Sequence, residues 1–285
     1  MRTLSLSSVT LSLLAFSCAS HGPNEEVLSP GKELDAQPIR ALLVTGGCCH
    51  DYDNQKTIIT EGISARARVE WTIVHEGGSR SENVRDHKLG VFENQEWADE
   101  YDVVVHNTCF GGLRDEDFVG AFVNAHREKG VGAVVLHCGL HSYRNLEGKT
   151  WHNFLGIASK RHEKGAPVPV ENARPDHPIM ATFPESWTTA KDELYVVHET
   201  WPGVVPLGLA WGTETKIHHP VIWVNRSGQA RVFGTSLGHS NETMGNPIYL
   251  DLIARGLLWA VGKLDEGGNP LEGYEAAPAP APAEE

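Results

Sequence analysis

Five histidines fall where apolar runs of this sequence end. His50 follows the run 40–45, His106 closes 101–106, and His137 closes 132–137 with His141 just beyond it; His239 follows 231–235. Imidazole titrates near neutral pH and is the commonest metal ligand, so such a set could move protons or hold a divalent cation. His137 and His141 are the expected proton carriers, with Asp51 and Glu193 as carboxylate partners: Asp51 adjoins His50, and Glu193 lies in the run Asp192-Glu193-Leu194-Tyr195. For a metal, the expected ligands are His50, His141 and His239, with His137 or His106 able to stand in and zinc favoured by ligand type. No HxH or HExxH pair fixes two ligands locally, so acid–base histidines without a metal are the alternative. Substrate contacts are expected from Gly47, His106, Asn107, Tyr143 and Arg144, through close backbone approach, hydrogen bonds to hydroxyls and an apolar platform. A solvated turn or a helix cap is the competing reading of Asp192 and Glu193.

These residues need elements that bring them together. The run 40–45 is apolar throughout, as in a strand buried on both faces of a parallel sheet. A helix over 53–66, strands at 69–74 and 101–106, a helix at 115–129 stopped by Gly130, and a strand at 132–137 continue the alternation. That order predicts an α/β, flavodoxin-like, doubly wound and mostly parallel sheet, whose ligand site lies outside the carboxyl ends of the strands. The second half predicts a short helix at 150–157, strands at 168–171, 194–198 and 207–211, and a hairpin over 221–235 turning at Ser227-Gly228. A last helix starts at Pro247 and is stopped by Gly262.

The ordered motifs are Val44-Thr45-Gly46-Gly47 with His50, Val135-Leu136-His137, Asp176-His177-Pro178-Ile179, Asp192-Glu193-Leu194-Tyr195 and Pro220-Val221-Ile222-Trp223. Gly228 with Arg231-Val232-Phe233 and Leu237-Gly238-His239, and then Gly256-Leu257-Leu258-Trp259-Ala260, close the series. Over residues 40–262 this series resembles the ThuA-like (trehalose utilisation) family. The resemblance implies a fold similar to class I glutamine amidotransferases and a part in disaccharide catabolism, including routes through 3-keto sugars. It does not carry over the glutaminase: the glycines that would flank a nucleophilic Cys138 are Leu136 and Leu140, and His239 stands three residues before Glu242. A sugar-active hydrolase or lyase is the expected enzyme.

The two ends speak to location. Met1-Arg2, an uncharged stretch over 3–16, and Ala15 and Ser17 before Cys18 read as a signal peptide at 1–17 with a lipobox-like junction. The expected layout is then a lipid anchor and tether at 18–37, one domain at 38–265, and a Pro/Ala-rich tail at 266–285. The chain is expected to be exported, periplasmic or membrane-anchored, touching a membrane only through its lipid. Cys48, Cys49, Cys109 and Cys138 are expected as buried free thiols; bridges from Cys48 or Cys49 to Cys109 or Cys138 are the alternative, and a Cys48–Cys49 bond is not expected. A net charge of −13 without a basic stripe argues against nucleic acid and anionic lipid surfaces, leaving a small-molecule carbohydrate as partner and implying no particular oligomeric state. A non-catalytic carbohydrate-binding lipoprotein and an envelope interaction scaffold are the alternatives to the enzyme.

Overall fold

The computed structural model describes residues 36–94 and 96–276. The expected signal peptide, the lipidation position Cys18 and the last residues of the tail lie outside the described residues.

The amino-terminal half alternates strand and helix: β1 (Ile39–Gly47), α1 (Tyr52–Ser64), β2 (Val69–His75), the short α2 (Trp97–Glu100), β3 (Val103–Cys109), α3 (Glu116–Lys129) and β4 (Gly132–Leu136). All of β3 and β4, and all of β1 except Arg40, is buried, because helices cover both faces of the sheet. Successive residues point to opposite faces. Leu43, Val105 and Val134 pack with Ile59 of α1, while Leu42, Val44, Val104 and Val135 pack with Val119 and Phe122 of α3. Asp115 caps α3 by accepting from the Phe118 amide, and Gly130 ends it in the left-handed region at φ 75°.

The second half adds α4 (Thr150–Leu155), β5 (Ile157–His162), β6 (Ala166–Asn172), β7 (Ser186–Asp192), β8 (Tyr195–Thr200), β9 (Val205–Trp211), β10 (His218–Ser227), β11 (Ala230–Thr235), α5 (Asn241–Met244) and α6 (Pro247–Ala260). The nine-stranded sheet has the order β2-β1-β3-β4-β11-β10-β9-β6-β7. Its first five strands run parallel, in the flavodoxin-like order, and the other four extend it by antiparallel pairing. The fold is therefore the expected α/β architecture with an antiparallel extension. β5 and β8 form a separate two-stranded sheet.

Three departures from expectation matter here. The helix from Thr150 stops at Leu155, because Gly156 turns left-handed at φ 82° and the chain leaves as β5. β3 continues to Cys109, so His106 sits inside the strand rather than at its end. The folded chain also runs past residue 265: Leu264 bridges Pro270, and the Tyr274 carbonyl accepts from the Arg68 amide at 2.9 Å.

Parallel pairing puts the carboxyl ends of β1, β3, β4 and β11 side by side, so the segments after Gly47, Leu136 and Thr235 emerge on one edge. Gly46 and Gly47 hold φ of 134° and 115°, and a Cβ on Gly47 would stand 2.8 Å from the Cys109 carbonyl oxygen. A side chain at Gly47 would therefore push β1 from β3 where the loop bearing His50 begins.

Candidate functional site: a histidine and carboxylate cluster

His137 is the centre of the edge. It leaves β4 with φ 45° and starts a turn of 3-10 helix that turns the ring under the loop following β11. Its Nδ1 lies 2.7 Å from the Ser236 carbonyl oxygen, which can only accept. Nδ1 therefore carries the proton, and Nε2 offers a lone pair to the Tyr195 hydroxyl at 3.3 Å. Burial lowers the His137 pKa to about 4 against the opposing pull of Glu193 and the Ser236 carbonyl, so the ring is neutral near pH 7.

Two further imidazoles face it. The His50 ring lies edge-on to His137 and His239, with centroids at 4.7 and 5.0 Å. Ligand nitrogens of His50, His137 and His239 all lie within 4.8 Å of one another. Burial, reinforced by His137 and His239, holds His50 well below its ordinary pKa, and its Nδ1 is buried without a hydrogen-bond partner among the described residues. His239 differs: the carboxylate of Glu193 beside it raises its pKa.

Glu193 joins these rings. Its Oε2 lies 3.6 Å from His137 Nε2; its Oε1 lies 3.5 Å from His239 Nδ1 and 3.6 Å from His162 Nε2. Burial alone would raise its pKa, but the His239 imidazole 3.5 Å away and the neighbouring histidines outweigh that and hold it at about 2. The preceding Asp192 is fully buried and accepts from the amides of Glu193, Gly238 and His239 at 2.8, 2.9 and 3.3 Å. It therefore ties the end of β7 to the loop bearing His239. Burial raises its pKa to about 6 despite those three amides.

Several expected site residues lie elsewhere. His141 is buried but stacks on Tyr195 at 3.7 Å, bonds Ser159 Oγ at 2.9 Å and faces Arg144 at 3.5 Å; the third ring of the cluster is His137, as the stand-in reading allowed. His106 points into the core, 3.4 Å from His126 and against Trp151, because β3 runs three residues past it. Asn107 is spent on Thr45 and Gln55, and Tyr143 packs on Phe122 and Trp151 inside the core. Gly47 closes β1 against Cys109 rather than opening a space. Asp51 caps α1 through Asn54 and bonds Asn241 Nδ2 at 2.7 Å, so its lone pairs serve the loop that positions His50. Arg144 remains near the edge, donating to the Lys160 carbonyl at 3.1 Å.

The cysteines correct the free-thiol expectation and the one against a bond between neighbours. Cys48 is bonded to Cys49, and Cys109 to Cys138 across Cα atoms 5.1 Å apart. Positive φ at Cys49 (85°) turns the chain between the adjacent pair, while the ends of β3 and β4 bring the second pair within bridging reach. Cys138 is thus not available as a nucleophile. Tyr195, Asp192 and His162 were missed as site residues. On β7 Trp187 and Thr189 alternate inward but Lys191 is exposed and Asp192 breaks the period, so no sequence signal singled out Asp192.

A cavity of about 790 Å³ lies at the opposite, amino edge of the sheet, lined by residues such as Arg40, Asp102, Lys129 and Arg231. It contains none of the cluster, whose side chains face one another at the carboxyl edge.

The family model for ThuA, described as trehalose utilisation, matches residues 40–260. A ThuA-like protein of Parabacteroides merdae superposes with a TM-score of 0.62 at 20% identity, over 84% of this chain and 97% of that one. A ThuA-like protein of Bacteroides uniformis gives 0.61 at 18% identity, over 85% and 98%. A β-galactosidase of Bacillus circulans sp. alkalophilus gives 0.52 at 12% identity, over 81% of this chain and 33% of that one, and shares the fold alone. No curated protein matches the sequence.

Proposed function

The chain belongs to the ThuA family, described by trehalose utilisation, and from that premise we propose that it transforms a disaccharide or 3-keto sugar at the His50, His137, His239 and Glu193 cluster. The family supports a carbohydrate-related role. The observation that carries the finer reading is the placement of Glu193 between His137 and His239, at 3.6 and 3.5 Å.

Proton transfer is most efficient through a group whose pKa lies near the working pH. His239 is the ring best suited to it, because Glu193 lifts its pKa above the ordinary histidine value while His50 and His137 are held neutral by burial. In the proposed reaction His239 takes a proton, from the attacking water in a hydrolase or from the carbon beside the keto group in a lyase, and returns it to the leaving oxygen. Glu193 stays ionised and steadies the imidazolium. Tyr195, whose pKa burial raises well above the ordinary value, keeps its proton and holds His137 through Nε2.

A divalent cation is a second reading, favoured by the buried Nδ1 of His50, which has no partner among the described residues, and by the mutual reach of the three rings. Neutral imidazoles beside an ionised carboxylate fit zinc by donor type. His50, His239 and, with its Nε2 lone pair turned from the Tyr195 hydroxyl, His137 would hold it, and it would supply Lewis acidity toward a sugar oxygen. The domain is further proposed to work outside the cytoplasm, on a lipid attached at Cys18, because of the signal-like start of the sequence.

The test is incubation of the purified chain with disaccharides and their 3-keto forms, with products followed by mass spectrometry. Turnover is expected. Binding without turnover would replace the enzyme by a carbohydrate-binding protein, and neither would end the carbohydrate reading. Elemental analysis of untagged protein decides the cation: near-stoichiometric zinc, lost when His50 and His239 are both changed to alanine, is the outcome that reading requires.

A further inference from the structure

Beside the histidines lies a group the proposed sugar chemistry does not use. Cys48, Cys109 and Cys138 are buried together against Tyr52, with Cys49 partly exposed at their rim. The two disulfides are in contact: Cys48 Sγ lies 3.5 Å from Cys109 Sγ, across from the bond that Cys109 makes to Cys138. A ring nitrogen of His50 and the sulfurs of Cys109 and Cys138 fall within 4.8 Å of one another. Four sulfurs therefore run as a continuous path from the surface at Cys49 to the edge of the histidine cluster.

Thiol–disulfide exchange needs a thiolate placed against one sulfur of a disulfide, and access for the first attack. Access favours Cys49, the partly exposed member, and the Arg85 guanidinium at 3.8 Å from its sulfur draws in an attacking thiolate and steadies Cys49 when it later leaves as a thiolate. Contact favours Cys48 as the second attacker, because Cys109 is the neighbouring sulfur it faces. We propose that the four cysteines form a thiol–disulfide relay that carries a two-electron reduction by a dithiol from Cys49 to Cys138.

The bookkeeping closes. One thiolate of the dithiol attacks Cys49 Sγ, making a mixed disulfide and releasing Cys48 as thiolate. That thiolate attacks Cys109 Sγ, forms a Cys48–Cys109 bond and expels Cys138 as thiolate. The second sulfur of the dithiol then displaces Cys49 and closes the dithiol's own disulfide. The dithiol has lost two electrons and two protons. The protein has lost two disulfides, gained one between Cys48 and Cys109, and carries thiols at Cys49 and Cys138. The relay stands on sulfur positions alone and holds whether or not the neighbouring site acts on sugars.

The test is wild-type protein given one molar equivalent of dithiothreitol, trapped under native conditions with iodoacetamide and mapped by tandem mass spectrometry, with Cys18 read on its own peptide. The relay predicts label on Cys49 and Cys138 and a Cys48–Cys109 crosslink, with Cys138 labelled about tenfold over Cys48. Label on Cys48 and Cys49 with the Cys109–Cys138 bond intact would overturn it. So would label on Cys109 and Cys138 with the Cys48–Cys49 bond intact, since the reductant would then attack the wrong pair. Cys49→Ser offers a check without reductant: its Cys48 should be found bonded to Cys109, with Cys138 free. A free Cys48 beside an intact Cys109–Cys138 bond contradicts the relay, and if that variant fails to fold the wild-type map still decides.

Discussion

At the scale of single residues, the site is set by what each polar atom touches. His137 is neutral because burial lowers its pKa, and is fixed in one tautomer because its Nδ1–H donates to a carbonyl, whereas His239 is raised because a carboxylate faces it. Tyr143 shows the opposite case. Its hydroxyl is buried without a partner among the described residues, in a core of Phe122 and Trp151, where a sugar cannot reach it. Tyr143→Phe removes an unpaired group and keeps the ring, so stability in urea unfolding should stay level or rise by about 1 kcal/mol, with KM unchanged. A severalfold rise in KM would restore Tyr143 as a substrate contact. His50, His137, His239 and Glu193 were legible because each follows or adjoins a strand recognisable from its apolar run. Asp192 was not, because a carboxylate fully buried on three backbone amides looks the same in sequence as one in a solvated turn. Tyr195 matters only through His137 and His141, which are far from it in sequence.

At the scale of elements, burial of β3 and α3 creates a pH dependence away from the site. His106 and His126 meet at 3.4 Å in the core, and His126 donates from Nδ1 to the Val131 carbonyl at 2.8 Å. Burial lowers the His126 pKa from 6.5 to about 4. A folded-state histidine pKa below its unfolded value gives stability that is present above about pH 6.5 and is lost as pH falls toward about 4, because the unfolded chain binds the proton first. The loss reaches the order of 3 kcal/mol at its limit. Urea unfolding of His126→Gln against the wild type should therefore show a shallower decline between pH 6.5 and 4. Asp192 titrates in an overlapping range with the opposite sign, and comparison with the wild type cancels it. Parallel curves would contradict the burial argument. β1, β3 and β4 were readable as apolar runs, α3 from its Gly130 stop, and the β10–β11 hairpin from its Ser227-Gly228 turn. β5 and β7 were not: β5 ends in the exposed Lys160, Arg161 and His162, and β7 alternates around Thr188, Thr189 and Lys191 without an apolar run.

At the scale of the molecule, a parallel half-sheet gathers the histidine loops on its carboxyl edge while an antiparallel half supplies Asp192 from β7, with Glu193 directly after it. The order of the first strands was legible because strand and helix alternate; the antiparallel extension was not, because β6 joins it by pairing with β9 across the intervening β7 and β8. Among the described residues no helix is long and apolar enough to cross a membrane, so the proposed attachment rests on Cys18. Cys18→Ser should move the full-length chain from the membrane to the soluble fraction on cell fractionation without changing its folded domain; wild-type protein found wholly soluble would contradict the anchor. The central claim is that Glu193 and the histidines around it work as one carbohydrate site. It is tested most directly by initial rates of product formation from disaccharides and their 3-keto forms, compared between wild type and Glu193→Gln. Removing the charge that raises His239 should lower kcat at least about a hundredfold, with the circular dichroism spectrum and unfolding midpoint essentially retained. Equal rates in the two proteins, or turnover in neither, would contradict the account.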